Sequence, residues 1–128
     1  MSDQKDVAGM IADVASRCAA THARMRARTL TRAYDAALAE AGLRSTEYAV
    51  LVAVGAAEAG RMHAIAEMLS MDLSTLSRSL RNLVKHGWVV IAADGHRTKR
   101  ATLTVEGLNK VAEGYPHWLT IQSLTEQG

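Results

Sequence analysis

Phenylalanine is absent from this chain and aromatic residues make up only 4% of it, so a core must be assembled from Leu, Val, Ile, Met and many Ala side chains. Small side chains of that kind call for closely packed helices. The single cysteine, Cys18, excludes an internal disulfide and fits a reducing compartment. No apolar run approaches the ~18 residues of a membrane span, and the opening MSDQKD is too polar for a signal peptide. A cytoplasmic chain with no membrane partner is therefore expected. P-loop, nucleophile-elbow and dinucleotide fingerprints are missing, so nothing in the sequence points to an enzyme. The histidines, at 22, 63, 86, 96 and 117, never stand four apart from one another or next to the cysteine, which argues against zinc. No metal or other cofactor is expected. The 128 residues, 48% hydrophobic and 22% charged, suit one domain with a sizeable core.

What is present is concentrated. The net charge of +2 divides into zero over residues 1–71, +4 over 72–104 and −2 over 105–128. A basic excess confined to one stretch suits a polyanion-binding element, which solubility alone does not require. Within it, Asp72 is placed to cap a helix. Leu73, Leu76, Leu80, Leu83 and Val84 recur at helical spacing as one buried stripe. The other face carries Ser74, Thr75, Arg78, Asn82 and Lys85, flanked by Arg81, with no carboxylate among them. Gly87 ends the helix, Trp88 to Ile91 reads as a short buried strand, and Asp94-Gly95 signals a hairpin followed at once by Arg97, Lys99 and Arg100. A hairpin tip so rich in cations is poorly explained by folding alone.

The remainder reads as scaffold. Residues 7–41 predict one long helix, with Val7, Ile11, Val14, Cys18, Thr21 and Met25 on the narrow stripe of a helix that packs on another helix. A helix that long outruns so small a domain, so its N-terminal half is expected on a second subunit. Arg24, Arg26, Arg28 and Arg32 form its solvated face. Ser45 is expected to cap a helix over 46–57, buried through Tyr48, Leu51, Val52 and Gly55. Met62 is expected to make a single strand residue against the hairpin, and His63 to Leu69 a short helix. Helix, tight turn and a second helix with a polar outer face form the helix-turn-helix pattern. A further helix over 105–114 should bury Leu108, Val111 and Ala112, and Pro116 should bend or restart it. The last turns should then expose Trp118, Ile121 and Leu124.

The runs GLRSTEYAVLVAV, IAEMLSMDLSTLSRSLRNLVKHGWV and HRTKRATLTVEG, in that order and spacing, resemble the MarR family of bacterial winged helix-turn-helix regulators over nearly the whole chain. The resemblance implies a mainly α fold with a small β-wing, in which 43–104 form the DNA-binding region and 7–41 and 105–128 the dimerisation helices of a single domain. It also implies a homodimer on double-stranded DNA, each recognition helix in a major groove and each wing at a minor groove, often a repressor released by a small aromatic or anionic effector. The matching DNA contacts are Ser74, Thr75, Arg78, Arg81, Asn82 and Lys85 in the helix and His96, Arg97, Lys99 and Arg100 in the wing. The dimer interface falls on Val7, Ile11, Val14, Cys18, Trp118, Ile121 and Leu124, and an effector site on His22, Met25, Arg26, Tyr48 and Leu51.

Two departures stand out. The wing acid sits at Asp94, one place earlier than in family wings, which usually brace it against the wing Arg, and the final helix stops short at Gly128. Two alternatives remain open. One is a winged-helix protein-interaction module without DNA binding, which the cationic outer face of 74–85 disfavours because a protein-binding helix usually shows an apolar patch. The other is a redox-sensing regulator using Cys18; peroxide-sensing relatives carry a cysteine in this helix, but Cys18 falls about two residues early and lies on the apolar stripe, where a buried thiol is the plainer reading.

Overall fold

The computed structural model describes residues 4–95 and 97–127, and the described chain divides between Ala33 and Tyr34 into two compact units. It is mostly helical, with a small two-stranded antiparallel sheet. No described helix is long and apolar enough to cross a membrane.

The first unit contains α1 (Gln4–Arg17) and most of α2 (Ala19–Leu38). The single helix expected over 7–41 is thus interrupted at Cys18, and its end tightens into a 3-10 turn at Ala39–Ala41. At the interruption His22 Nε2 lies 3.1 Å from the carbonyl of Ala15, an oxygen that an unbroken helix would offer to the amide four residues on. A side chain competing for the backbone ladder is a known cause of helix irregularity. None of the described residues of this unit is buried, and Val7, Met10, Ile11, Val14 and Met25 are all exposed.

The second unit holds the core. At its centre is α3 (Ser45–Ala56), which buries Tyr48, Val50, Leu51, Ala53 and Val54 against α4 (Met62–Leu69), α5 (Leu73–Lys85), β2 (Lys99–Leu103) and α6 (Val105–Gln127). Ser45 is the first helical residue of α3, with Arg44 in the cap position. Two carboxylates satisfy the amides that start the helix, one from α2 and one from its own first turn: Asp35 Oδ1 accepts from Ser45 N at 2.7 Å and Glu47 Oε1 from Arg44 N at 2.8 Å. The Ser45 amide holds the Asp35 carboxyl below its ordinary pKa.

Strand β1 (Val89–Ala93) pairs with β2 in the register Val89↔Leu103 through Ala93↔Lys99. The single residue that joins the hairpin from the far side is Arg61, bridged to Arg100, and not Met62, which already belongs to α4. Of the run expected as a buried strand only Val89 is buried, while Val90 and Ile91 are exposed. Trp88 is half-buried and stacks on His86, ring centroids 4.2 Å apart.

α6 continues as one helix through Pro116, which does not restart it. Its inward side is not Leu108 and Ala112, which are exposed, but Gly107, Val111, Gly114 and Trp118 at helical steps. Gly114 lets α6 lie directly on Tyr48, where a Cβ would stand 2.5 Å from Cε1, and Tyr48 donates its hydroxyl to the Val111 carbonyl at 3.0 Å. Packing on both sides of Pro116 holds the helix where one lost N–H alone would tend to break it.

Candidate nucleic-acid interface

The helix-turn-helix is α4, a three-residue turn and α5. Ser70 closes α4 in the left-handed region, with φ 52° and ψ 42°. Asp72 opens α5 as an N-cap, Oδ1 accepting from Thr75 N and from Ser74 Oγ, each at 2.7 Å. The Thr75 amide, aided by the Ser74 hydroxyl, pulls the Asp72 carboxyl down to about 2.

On α5, Leu76, Leu80 and Leu83 are fully buried and each contributes roughly 1.5–3 kcal/mol of transfer free energy to seating the helix. Leu73 and Val84 are both 41% exposed, so the buried stripe is narrower than its spacing suggested. Ser74, Arg78, Arg81 and Lys85 are exposed, whereas Thr75 and Asn82 are half-buried. Asn82 donates to Glu47 Oε2 at 2.8 Å, and His86 Nε2 stands 3.7 Å from the same oxygen. Glu47 therefore ties α5 to α3 and brings a carboxylate to a face where the local sequence shows none. Arg44, Glu47, Arg78 and Asn82 line a cleft of about 240 Å³ between the two helices.

The wing is closed by Asp94 N donating to the Thr98 carbonyl at 2.8 Å. Asp94 also accepts from Arg100 Nε at 2.6 Å, with both side chains about 40% exposed. A brace is thus present, made with Arg100, which leaves Arg97 and Lys99 exposed beyond it. His96 lies outside the described residues. A second cleft, of about 550 Å³, separates the wing from the start of α4 and the first half of α5.

The other predicted site residues belong to both units. Tyr48 and Leu51 are core residues of the second unit, and burial raises the Tyr48 phenol above its ordinary pKa. His22, Met25 and Arg26 are exposed in the first unit. Cys18 is half-buried, and the Thr21 hydroxyl, donating to Sγ at 3.3 Å, lowers its thiol. Trp118 and Ile121 are half-buried where exposure was expected, Trp118 because it follows the glycines onto the core; Leu124 is exposed. The outward stripe of α6 consists instead of Val105, Leu108, Tyr115 and Leu119. Reading the sequence missed Glu47 and Arg61, although an acid three residues into a helix after a polar cap is a recognisable starting signal.

A sequence profile of the MarR family matches residues 41–99. Among solved structures, the transcriptional regulator MosR of M. tuberculosis is 30% identical over 85% of this chain and 80% of that one, with a TM-score of 0.75. A structure of MosR in complex with DNA is 29% identical over 88% of this chain and 83% of that one, with a TM-score of 0.81. PcaV of Streptomyces coelicolor, solved with its natural ligand, shares the fold at 21% identity, covering 88% and 79% of the two chains with a TM-score of 0.76. No curated protein matches.

Proposed function

This chain belongs to the MarR family of transcriptional regulators, and on that premise we propose that it is a homodimeric repressor that binds a pseudo-palindromic operator and is released by a small ligand. One observation carries the DNA-binding part. The only carboxylates in 72–104, Asp72 and Asp94, are engaged in a helix cap and a wing brace, while Arg78, Arg81, Lys85, Arg97 and Lys99 stay exposed. A duplex approaching this surface meets cations whose neighbouring acids, Asp72, Asp94 and the Glu47 that reaches Asn82, are each already engaged, the electrostatic footprint of phosphate binding. In this reading the first turns of α5, with Ser74, Thr75 and Arg78, face base edges in the major groove. Arg81, Lys85, Arg97 and Lys99 hold the backbone.

Dimerisation is supported by two exposed apolar stripes, Val7, Ile11 and Val14 on α1 of the first unit and Val105, Leu108, Tyr115 and Leu119 on α6 of the second. Apolar helix faces of that extent need cover. Residues 43–104 then form the DNA-binding region, and 7–41 with 105–128 the dimerisation helices. Release by a small ligand rests on kinship with regulators such as PcaV, which was solved with its own. The test is selection of duplexes from a random pool by the purified full chain. Enriched two-fold symmetric sites with half-sites about one helical turn apart are expected; enrichment of nothing over input would refute the proposal.

A further inference from the structure

The wider cleft of the second unit is lined by cations from two separate segments, Arg61 just before α4 and Arg97 and Lys99 of the wing, and by His63 of α4 and Ser77 of α5. Resting on the DNA-binding reading above, we propose that this cleft seats a phosphodiester of the bound duplex, with Arg61 and Ser77 as contacts outside both the outward face of α5 and the wing.

The charge balance favours an anion. The one carboxylate on the lining, Asp94, is held by Arg100 at 2.6 Å, and among the described residues no acid pairs with Arg61, Arg97 or Lys99. Neutral donors are at hand as well, since the Ser77 and Thr98 hydroxyls share the lining. The base of Arg61 is held firmly: its backbone bridges Arg100, and Gly60 before it lies so close to β2 that an added Cβ would stand 2.2 Å from the Ala101 carbonyl oxygen. A side chain springing from a fixed backbone holds its geometry better than one on a free loop. The position suits the role. Ser77 lies one helical step beyond Ser74, so a phosphate here sits between the groove-reading turns and the wing, where backbone contacts set the register of a protein on its duplex.

The experiment measures affinity for operator and random duplexes across salt for the full-length protein and for Arg61→Ala, Arg61→Lys and Ser77→Ala. Arg61→Ala should lower the slope of log affinity against log salt by roughly 0.9 for each protomer's lost contact, equally on both duplexes, and Arg61→Lys should restore it. Ser77→Ala, which removes no charge, should weaken both duplexes several-fold with the slope unchanged. The bridge to Arg100 uses backbone only, so Arg61→Ala should keep its fold; if it does not, Ser77→Ala decides alone, and unchanged affinity overturns the proposal. A wild-type protein that binds DNA while Arg61→Ala keeps the full slope overturns this inference and leaves the DNA-binding reading standing. No binding by the wild type overturns both. Thermal stabilisation of the DNA-free protein by inorganic phosphate that Arg61→Ala abolishes, with the DNA slope untouched, would assign the cleft to a free anion and overturn the duplex assignment.

Discussion

Replacing Gly60 by alanine tests how the wing is fastened to the helix-turn-helix, and replacing Gly87 supplies the control. Both glycines occupy the left-handed region, with φ of 66° and 80°. A residue with a Cβ pays about 1–2 kcal/mol for that conformation, so this term is common to both variants. The surroundings differ. A Cβ on Gly87 meets nothing within 4 Å, whereas on Gly60 it would lie 2.2 Å from the carbonyl oxygen and 3.2 Å from the carbonyl carbon of Ala101. Those atoms are backbone of β2, and Ala101 is 1% exposed, so the strand cannot swing aside without leaving the core. Separating the segments also breaks the Arg61–Arg100 bridge, worth about 1 kcal/mol for a net backbone hydrogen bond. Gly87→Ala should therefore cost about 1–2 kcal/mol and Gly60→Ala about 3–5 kcal/mol, at the upper end of single substitutions. Equilibrium urea unfolding at a common slope measures both. Losses equal within about 0.5 kcal/mol would refute the close approach of residue 60 to β2.

Other expectations follow from single residues. Ser70→Gly removes a side chain from a left-handed helix end and should stabilise the protein by about 0.5–1 kcal/mol in the same assay. Asp72→Ala should lower the melting temperature at pH 7. Because the folded carboxyl titrates at about 2, below its ordinary 3.8, its contribution is complete above that ordinary value and fades as pH falls through about 2, where variant and wild type should melt together. The wild type should scatter light as a dimer at micromolar concentration. Val14→Asp or Leu119→Asp, each placing a carboxylate on an exposed apolar stripe, should yield monomers; a monomeric wild type would remove the dimer from the account.

The recognition helix and wing were legible because their signals are local. The spacing of Leu76, Leu80 and Leu83, the Asp72 cap and the Asp94-Gly95 turn each specify structure within a few residues. The misreadings occurred where distant chain decides. Asn82 looked like a free polar group until Glu47, 35 residues earlier, took its amide. The buried face of α6 was misassigned because two of its inward positions, Gly107 and Gly114, have no side chain, so hydrophobic periodicity selected Leu108 and Ala112 instead. Pro116 was read by its local penalty, and packing on α3 outweighed it. The wing brace was unexpected because Asp94 reaches Arg100, six residues on and across the hairpin, rather than its near neighbour Arg97.

The central claim is that α5 reads DNA sequence while its flanking cations only hold the backbone, and Arg78→Ala tests it most directly. Affinity of wild type and variant should be measured on the selected operator and on random duplex at several salt concentrations. If Arg78 pairs with a base edge, the variant should lose roughly 1–3 kcal/mol on the operator and much less on random DNA, while Arg97→Ala weakens both alike and lowers the salt slope by about one unit. Equal weakening of operator and random duplex by Arg78→Ala at every salt concentration would contradict the assignment.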